Sequence, residues 1–215
     1  MTTAAEVWAG LDEPWHAAFD EAWTSWTEGN FGIGAVLFDP VARRIVTRGR
    51  NRVTEPKPGE RQLGGNMLAH AEMNAFAGME SWDARGLHLY TTLEPCLMCA
   101  ATATQLRVEH VHLAVDDEFY DGLHEVWAEH PFTAKRTPSR TGPFAGGAAR
   151  LASFARLLPL TFTHDRLSGQ NAWAEARRRV PALAALAGDQ DVRHRLRACD
   201  SAEAGLTELW DELPH

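Results

Sequence analysis

The chain has 215 residues, of which 45% are hydrophobic and 23% charged, and its formal net charge is −8 at pH 7. This length allows one domain with a sizeable core plus an appendage, and it argues against two full domains. No run of eighteen apolar residues and no signal segment is present, so the sequence predicts neither a membrane span nor secretion. We therefore expect a cytoplasmic protein.

The charge is distributed unevenly along the chain. Residues 1–120 carry 9 Lys and Arg against 17 Asp and Glu, whereas residues 121–215 carry 12 of each. Affinity for nucleic acid depends largely on Lys and Arg that meet phosphates, so this balance argues against a nucleic-acid partner. Cys199 has no evident partner among the three cysteines, which is not the pattern of a disulfide framework.

The first predicted element is a helix over Trp8 to Trp26, in which apolar residues recur at helical intervals. Asp12 is a candidate N-cap, and Pro14 suits the first turn. Gly29-Asn30 ends the helix. The tryptophans on this helix could form a base-stacking surface, but we favour packing against a sheet.

A hairpin follows, with strands predicted over Phe31 to Phe38 and Ile45 to Arg50. Gly32 and Gly34 would either let a flat ligand approach the backbone or allow tight packing, and the sequence leaves both interpretations open. If the second strand runs parallel to the later strands, Asn51 at its end lies at the same edge of the sheet as their carboxyl ends.

Residues Thr54 to Asn66 include Pro56, Pro58 and several glycines, which predicts a loop that is either a pocket wall or a passive surface segment. The elements predicted after it are a helix over His70 to Ser81, a strand over Leu87 to Thr92, a helix over Cys96 to Leu106 and a strand over Val111 to Val115.

The rest of the chain has weaker patterns. Asp116 to Phe119 follows a strand and is expected to line a crevice, where Phe119, Tyr120, Trp127 and Phe132 could stack on a ligand or simply pack. Residues 131–147 are predicted to be irregular, and Leu157 to Thr163 to be one more strand. The predicted C-terminal helices are Ala172–Val180, Ala182–Ala187, Val192–Arg197 and Ala202–Leu213. We expect their arginine clusters to form a solvated face rather than an RNA patch, and we divide the chain into residues 1–165 and a helical extension, residues 166–215.

Two short motifs stand out, His70-Ala71-Glu72 and Pro95-Cys96-Leu97-Met98-Cys99. Cys96 and Cys99 are three residues apart and share a helix face, and Pro95 suits the start of that helix. The positive end of the helix dipole favours thiolates there. Placed at the first turns of two helices that each follow a strand, His70, Glu72 and the two cysteines would converge at one sheet edge.

One imidazole and two thiolates are typical zinc ligands, and three protein ligands leave a position for water, as in catalytic rather than structural zinc sites. The Cys-x-x-Cys pair alone would equally suit a redox pair or half a zinc ribbon. Because the His-Ala-Glu motif is also present, we favour a catalytic site. His88, His110 and His112 are not included among the ligands.

The stretch Tyr90-Thr91-Thr92-Leu93-Glu94-Pro95-Cys96-Leu97-Met98-Cys99-Ala100, with His70-Ala71-Glu72, resembles the cytidine deaminase superfamily, and within it the branch of tRNA adenosine deaminases and guanine and cytosine deaminases. The resemblance covers about Phe31 to Val115. It implies an α/β fold, a three-layer α/β/α sandwich with a mixed five-stranded sheet, here with a helical C-terminal extension. It also implies a homodimer.

The resemblance further implies roles for single residues. In such proteins the His and both Cys bind Zn²⁺, the Glu shuttles protons, an Asn bonds the base or sugar, and a backbone N–H after the His bonds a ring carbonyl. The matching positions are His70, Cys96 and Cys99 for zinc, Glu72 for proton transfer, and Asn51 and Ala71 for substrate.

Two departures from the family pattern concern the substrate. Asn66-Met67-Leu68 stands where this branch usually has Asp-Pro-Thr, and the stretch beyond Val115 matches no pattern. We expect a hydrolytic deaminase of a small amino-heterocycle, such as a free nucleobase, nucleoside or analogue. The alternatives are a tRNA adenosine-to-inosine deaminase and, from another class, a catalytically silent zinc-stabilised binding module.

Overall fold

The structure is a computed structural model that describes residues 2–56, 59–120 and 122–215. The strands are β1 (Gly34–Asp39), β2 (Arg44–Arg50), β3 (His88–Thr91), β4 (His110–Leu113) and β5 (Ser139–Thr141). The helices are α1 (Ala4–Ala9), α2 (Glu13–Thr27), α3 (Ala71–Ala77), α4 (Leu97–Leu106), α5 (Leu123–Glu129), α6 (Ala149–Leu167), α7 (Asn171–Arg179), α8 (Pro181–Gly188), α9 (Gln190–Arg197) and α10 (Ala202–Leu209), with a 3₁₀ turn at Gly146–Ala148. Pro58, one indicator of the predicted loop, lies outside the described residues. In the part of the chain that is described, no helix has both the length and the apolar character that a membrane span requires.

The five strands form one mixed sheet in the order β2-β1-β3-β4-β5. β1 is antiparallel to β2 and β3, whereas β3, β4 and β5 are mutually parallel. β2 therefore runs in the same direction as β3 and β4, and the carboxyl ends of these three strands lie at one edge, as predicted. The fold class predicted from the sequence, an α/β protein with a mixed five-stranded sheet, is confirmed.

Side chains alternate between the two faces of the sheet, because successive residues of a strand point in opposite directions. Ala35, Leu37, Leu89 and Val111 pack with α3 and α4 in one core. Val36 and Tyr90 face the other core, which contains α2, α6 and the C-terminal helices. The sheet is thus the middle of three layers.

Glycines bring the helices close to the hairpin. A Cβ on Gly34 would lie 2.0 Å from the carbonyl oxygen of Ala18 in α2, and one on Gly49 would lie 2.2 Å from that of Ala71 in α3. Gly32, at φ +70°, is closed in by Leu158 and Trp26. Of the two interpretations left open for Gly32 and Gly34, tight packing describes both.

The fifth strand is not where the sequence placed it. Leu157 to Thr163, predicted to be a strand, lies inside α6, and β5 comes from the segment predicted to be irregular. α6 is buried on nearly all sides from Leu151 to Thr163, so it has no amphipathic helical pattern, and Pro159 also disfavours a helix by sequence criteria. β5 is a polar edge strand of three residues, which carries no hydrophobic signal.

The helices of both ends share one core. Trp8, Trp15, Trp23 and Trp26 are each at most 9% exposed, so the tryptophan stripe packs rather than forming an open stacking surface. Asp12 is the N-cap of α2, although its side chain makes no capping hydrogen bond, and α1 precedes it as a separate helix. α7 and α8 pack on α6, and α10 packs on α1 and α2.

Candidate metal centre and cleft

The two sequence motifs meet at the carboxyl edge of the sheet. His70 is the N-cap of α3 and Cys96 is the N-cap of α4, and neither side chain caps its own helix. Their side chains are therefore available to a common site. Cys99, one turn further along α4, is fully buried and joins them. Sequence spacing had predicted this convergence of two helix starts.

The three donor atoms have the spacing that a tetrahedral zinc ion requires. His70 Nδ1 lies 3.4 Å from Cys96 Sγ and 3.6 Å from Cys99 Sγ, and the two sulfurs are 3.6 Å apart. Zn–S bonds of about 2.3 Å and Zn–N bonds of about 2.0–2.1 Å at tetrahedral angles give edges of about 3.8 Å and about 3.6 Å. The residues present thus fit zinc. Among the described residues, no fourth His, Cys, Asp or Glu joins this group.

The pKa values of the two cysteine thiols are shifted in opposite directions. The hydrogen bond between the two sulfurs, and then the one with His70, lowers the pKa of the Cys96 thiol to about 4 against the opposing effect of burial. The same contact with Cys96, together with burial, raises the pKa of Cys99. Because metal ligands must be deprotonated, binding of a divalent ion to both sulfurs would release the remaining thiol protons.

Glu72 lies beside the donor group and is 3% exposed. Its Oε2 accepts a hydrogen bond from Cys99 Sγ at 3.4 Å. Burial is the main cause that raises the pKa of the Glu72 carboxyl, and the negative charge of Cys96 adds to it. A carboxyl group whose pKa is moved toward neutrality can both accept and return a proton at physiological pH.

Thr91 is a residue that the sequence analysis missed. Its Oγ1 lies 3.2 Å from Glu72 Oε1 and 3.0 Å from the carbonyl oxygen of Leu93, and its side chain is fully buried. A hydroxyl is both donor and acceptor. It can donate to an ionised Glu72, or accept from the protonated form while donating to Leu93. The sequence feature that could have indicated Thr91 is its position as the last residue of β3, a strand whose carboxyl end lies at the edge of the sheet where the donor group is found.

Of the two predicted substrate residues, Asn51 lines the cleft above the donor group and Ala71 does not. The Asn51 backbone is fixed on both sides, since its N–H donates to Ile33 and its carbonyl accepts from Ser25 Oγ, each at 2.9 Å. Ala71 is the first residue of α3, so its N–H belongs to the turn whose donors have no acceptor within the helix. Its side chain packs in the core behind the site.

The cleft has further walls that the motifs did not indicate. Asp117, Phe119 and Tyr120 line it, as predicted for the loop after β4, while Trp127 and Phe132 do not. One face of α6 completes it, with Arg156, Pro159, Thr163 and Leu167 at helical intervals. His88, His110 and His112 lie together on β3 and β4, and none of them lines the cleft or joins the donor group.

The segment before α3 is fastened to that helix. The side chain of Asn74 accepts a hydrogen bond from the Leu63 N–H at 2.7 Å and donates to the carbonyl oxygens of Arg50 and Leu63. Met67, which is 68% exposed, is the residue from this part of the chain that reaches the cleft. The predicted loop is thus held by hydrogen bonds to α3. The residue of this segment that lines the cleft is Met67, which directly follows the loop.

Comparison of the sequence with known proteins identifies a matching protein family and several similar proteins. The family model described as the cytidine and deoxycytidylate deaminase zinc-binding region matches residues 12–115. The tRNA-specific adenosine deaminase of Bacillus subtilis is 37% identical over 99 residues, covering 44% of this chain and 55% of that protein. The tRNA-specific adenosine deaminase 2 of Danio rerio is 31% identical over 125 residues, covering 53% and 54%. The chain therefore spans about half the length of these relatives.

Solved structures show the same fold. The guanine deaminase of Nitrosomonas europaea superimposes with a TM-score of 0.50 at 18% identity, covering 71% of this chain and 85% of that one. At this identity the likeness concerns the fold alone.

Proposed function

We propose that this chain is a zinc-dependent hydrolytic deaminase of a small amino-heterocycle, because residues 12–115 match the model of the cytidine and deoxycytidylate deaminase zinc-binding region. The substrate is a free nucleobase, a nucleoside or an analogue. The observation that carries this proposal is the set of three donor atoms at tetrahedral spacing with the buried carboxyl of Glu72 beside them. A purely structural zinc site would have a fourth protein ligand and would need no such carboxyl.

The proposed reaction replaces the amino group of the ring by a carbonyl oxygen and releases ammonia. His70, Cys96 and Cys99 hold Zn²⁺, which when bound supplies the positive charge that lowers the pKa of a neighbouring water. Glu72 takes a proton from the attacking water and delivers it to the ring nitrogen next to the amino-bearing carbon. Glu72 then transfers the second proton to the departing amino group, so the carboxylate is regenerated.

Two groups orient the ring in this proposal. The Asn51 side chain faces the cleft from a backbone fixed by two hydrogen bonds, and its amide bonds the base or sugar. The Ala71 N–H bonds a ring carbonyl from the first turn of α3. Holding the amino-bearing carbon in one place contributes to the rate because the reacting groups need not be brought together again in the transition state.

The decisive experiment removes the proton carrier and keeps the metal. Glu72→Ala is expected to retain zinc, because Glu72 is not one of the three donors, while ammonia release falls by at least about a hundredfold. Glu80→Ala, the same change at an exposed position that follows α3, is the matched control. Metal content and ammonia release are measured over bases, nucleosides, nucleotides, pterins and triazines. Wild-type turnover in Glu72→Ala would refute the role of Glu72, and a wild-type protein that is inactive on the whole panel would leave the silent binding module.

The second candidate, deamination of adenosine in tRNA, is favoured by the names of the two curated relatives. The arrangement of the basic clusters argues against it. Arg178 and Arg179 share an ion pair with Glu175, and Arg195 is paired with Glu208 and Glu212, so acids reduce the net positive charge of these clusters. A gel-shift assay and an inosine assay on tRNA distinguish the two candidates, because only the second requires RNA to bind.

A further inference from the structure

The wall formed by α6 belongs to the part of the chain that the family model does not match, since the match ends at residue 115. Arg156, Pro159, Thr163 and Leu167 present one side of this helix to the cleft. The helix is anchored by fully buried apolar residues, namely Leu151, Phe154, Leu157, Leu158 and Leu160. The position of this wall is therefore fixed by the core, and the wall lies outside the residues that the family model matches.

The charges that line the cleft are mostly negative. Among the described lining residues, Glu72, Glu94 and Asp117 carry carboxyl groups, and Arg156 is the one Lys or Arg. Arg156 is 5% exposed, and its Nε and Nη2 both donate to the carboxylate of Glu118. A phosphate group is bound by guanidinium or ammonium groups that have charge to spare. Among the described lining residues the cleft offers a phosphate no such group. Glu72 and Asp117 present carboxyl groups to it, and Glu94 is paired with Arg140 at 2.8 Å.

Asp117 is held so that one of its oxygens remains for a ligand. Its Oδ1 accepts a hydrogen bond from the Phe119 N–H at 3.1 Å and lies 3.8 Å from Arg156 Nη2, and its own N–H donates to Glu94 Oε2 at 2.9 Å. The side chain is 10% exposed. Oδ2 accepts no hydrogen bond from the described residues and is not one of the fully buried atoms that lack a partner, so it retains accessible surface on a residue that lines the cleft.

Resting on the proposed function, we infer that the cleft selects an unphosphorylated free base, and that Asp117 Oδ2 accepts a hydrogen bond from a ring N–H of that base. An ionised carboxyl group is an acceptor only, so its complement is a donor on the ligand. Free bases carry the N–H that becomes the glycosidic bond in nucleosides, and they carry no phosphate. Both features match a nine-tenths buried acid in a cleft whose one lining guanidinium, that of Arg156, is already bonded to Glu118.

The test measures binding separately from turnover. The full chain with Glu72→Gln, loaded with zinc, is titrated in a calorimeter with cytosine and guanine, with their nucleosides and with the nucleoside 5′-monophosphates. We expect each base to bind at least tenfold more tightly than its monophosphate. Adding Asp117→Asn, which converts an acceptor-only group to an amide, should weaken binding of the base about tenfold. Asp116→Asn, the same change at a side chain that is 55% exposed and outside the cleft, should leave it within twofold.

Two results would overturn the inference. One is a monophosphate that binds as tightly as its base, and the other is an Asp117→Asn protein that binds the base as well as the Asp116→Asn protein does. Circular dichroism and zinc content establish that the variants are folded; if Asp117→Asn is not, the comparison of base with monophosphate in the parent protein decides. Failure of the proposed function is a separate result, namely selective binding of bases without ammonia release by the wild-type enzyme.

Discussion

At the scale of single residues, the centre depends on groups that hold Glu72 as well as on Glu72 itself. The carboxyl group is buried and is in hydrogen-bond contact with two other side chains, the Cys99 thiol and the Thr91 hydroxyl. Cys99 is one of the three proposed zinc ligands. Thr91 is therefore the contact that can be removed without changing the donor set.

Thr91→Val should reduce kcat about fivefold and leave KM nearly unchanged, because a buried hydrogen bond contributes about 1 kcal/mol and this one touches the proton carrier rather than the ring. Valine keeps the shape of threonine and removes the hydroxyl. Steady-state rates of ammonia release check this expectation. Thr91→Ser is the matched control, since it keeps the hydroxyl and should recover most of the rate, and an equal loss in both variants would contradict the role of the hydrogen bond.

At the scale of elements, the β3–β4 pair carries a row of histidines that is separate from the metal centre. His88 Nδ1 and His112 Nε2 are 3.1 Å apart. The rings of His110 and His112 are tilted by 38° with their centroids 4.2 Å apart, and the Tyr90 ring stacks on His112, also at 4.2 Å. Burial, and then the neighbouring His110 and His88, lowers the pKa of His112 to about 4. The folded protein therefore keeps this ring neutral where the unfolded chain would protonate it.

Stability should consequently fall as the pH falls from about 6.5 to about 4. In this window the unfolded state binds more protons than the folded state, so the free energy of unfolding rises with pH. For the half-buried His112 the loss between pH 6.5 and pH 5 is on the order of 1 kcal/mol after discounting for solvent. Urea unfolding at both pH values should show a smaller pH effect in His112→Gln than in the wild type. Equal pH effects in the two proteins would contradict the lowered pKa.

At the scale of the whole molecule, the C-terminal helices belong to the same core as α2 and α6. Leu196, Leu206 and Leu209 are fully buried, and Leu206 and Leu209 come from α10, which packs on α1 and α2. We propose that the extension after residue 165 covers this core. The homodimer that the family resemblance implies stays a prediction. Sedimentation equilibrium measures the oligomeric state and tests it.

A chain that ends at residue 165 should not fold. It loses the three fully buried leucines, each of which contributes about 1.5–3 kcal/mol on burial, as well as Trp173 and Leu183. This loss is comparable to the whole stability of a domain, about 5–15 kcal/mol. Thermal unfolding followed by circular dichroism checks it against the full chain. A cooperative transition at the wild-type temperature would show that residues 1–165 are independent of the extension.

The sequence alone predicted the candidate metal centre and most of the sheet, since each motif spans a few residues and the direction of the strands relates the two motifs. His70, Glu72, Cys96 and Cys99 lie at the first turns of helices that follow strands, so local pattern and strand direction together bring them to one edge. The pattern of apolar and polar residues that indicates a strand or a helix can be read from neighbouring residues alone, without knowledge of distant parts of the chain. The hairpin and the two motif helices were predicted within a few residues for this reason, except for an earlier end of α3.

Only the tertiary structure decided the wall of the cleft and the fifth strand. Arg156 meets Glu118 across 38 residues, and Thr91 meets Glu72 across 19, and no local periodicity encodes either contact. Leu157 to Thr163 is buried on nearly all sides, so its hydrophobic pattern has no preferred period and is compatible with strand or helix. The secondary structure of such a segment is determined by the surfaces that pack around it, and these surfaces form only when the chain folds.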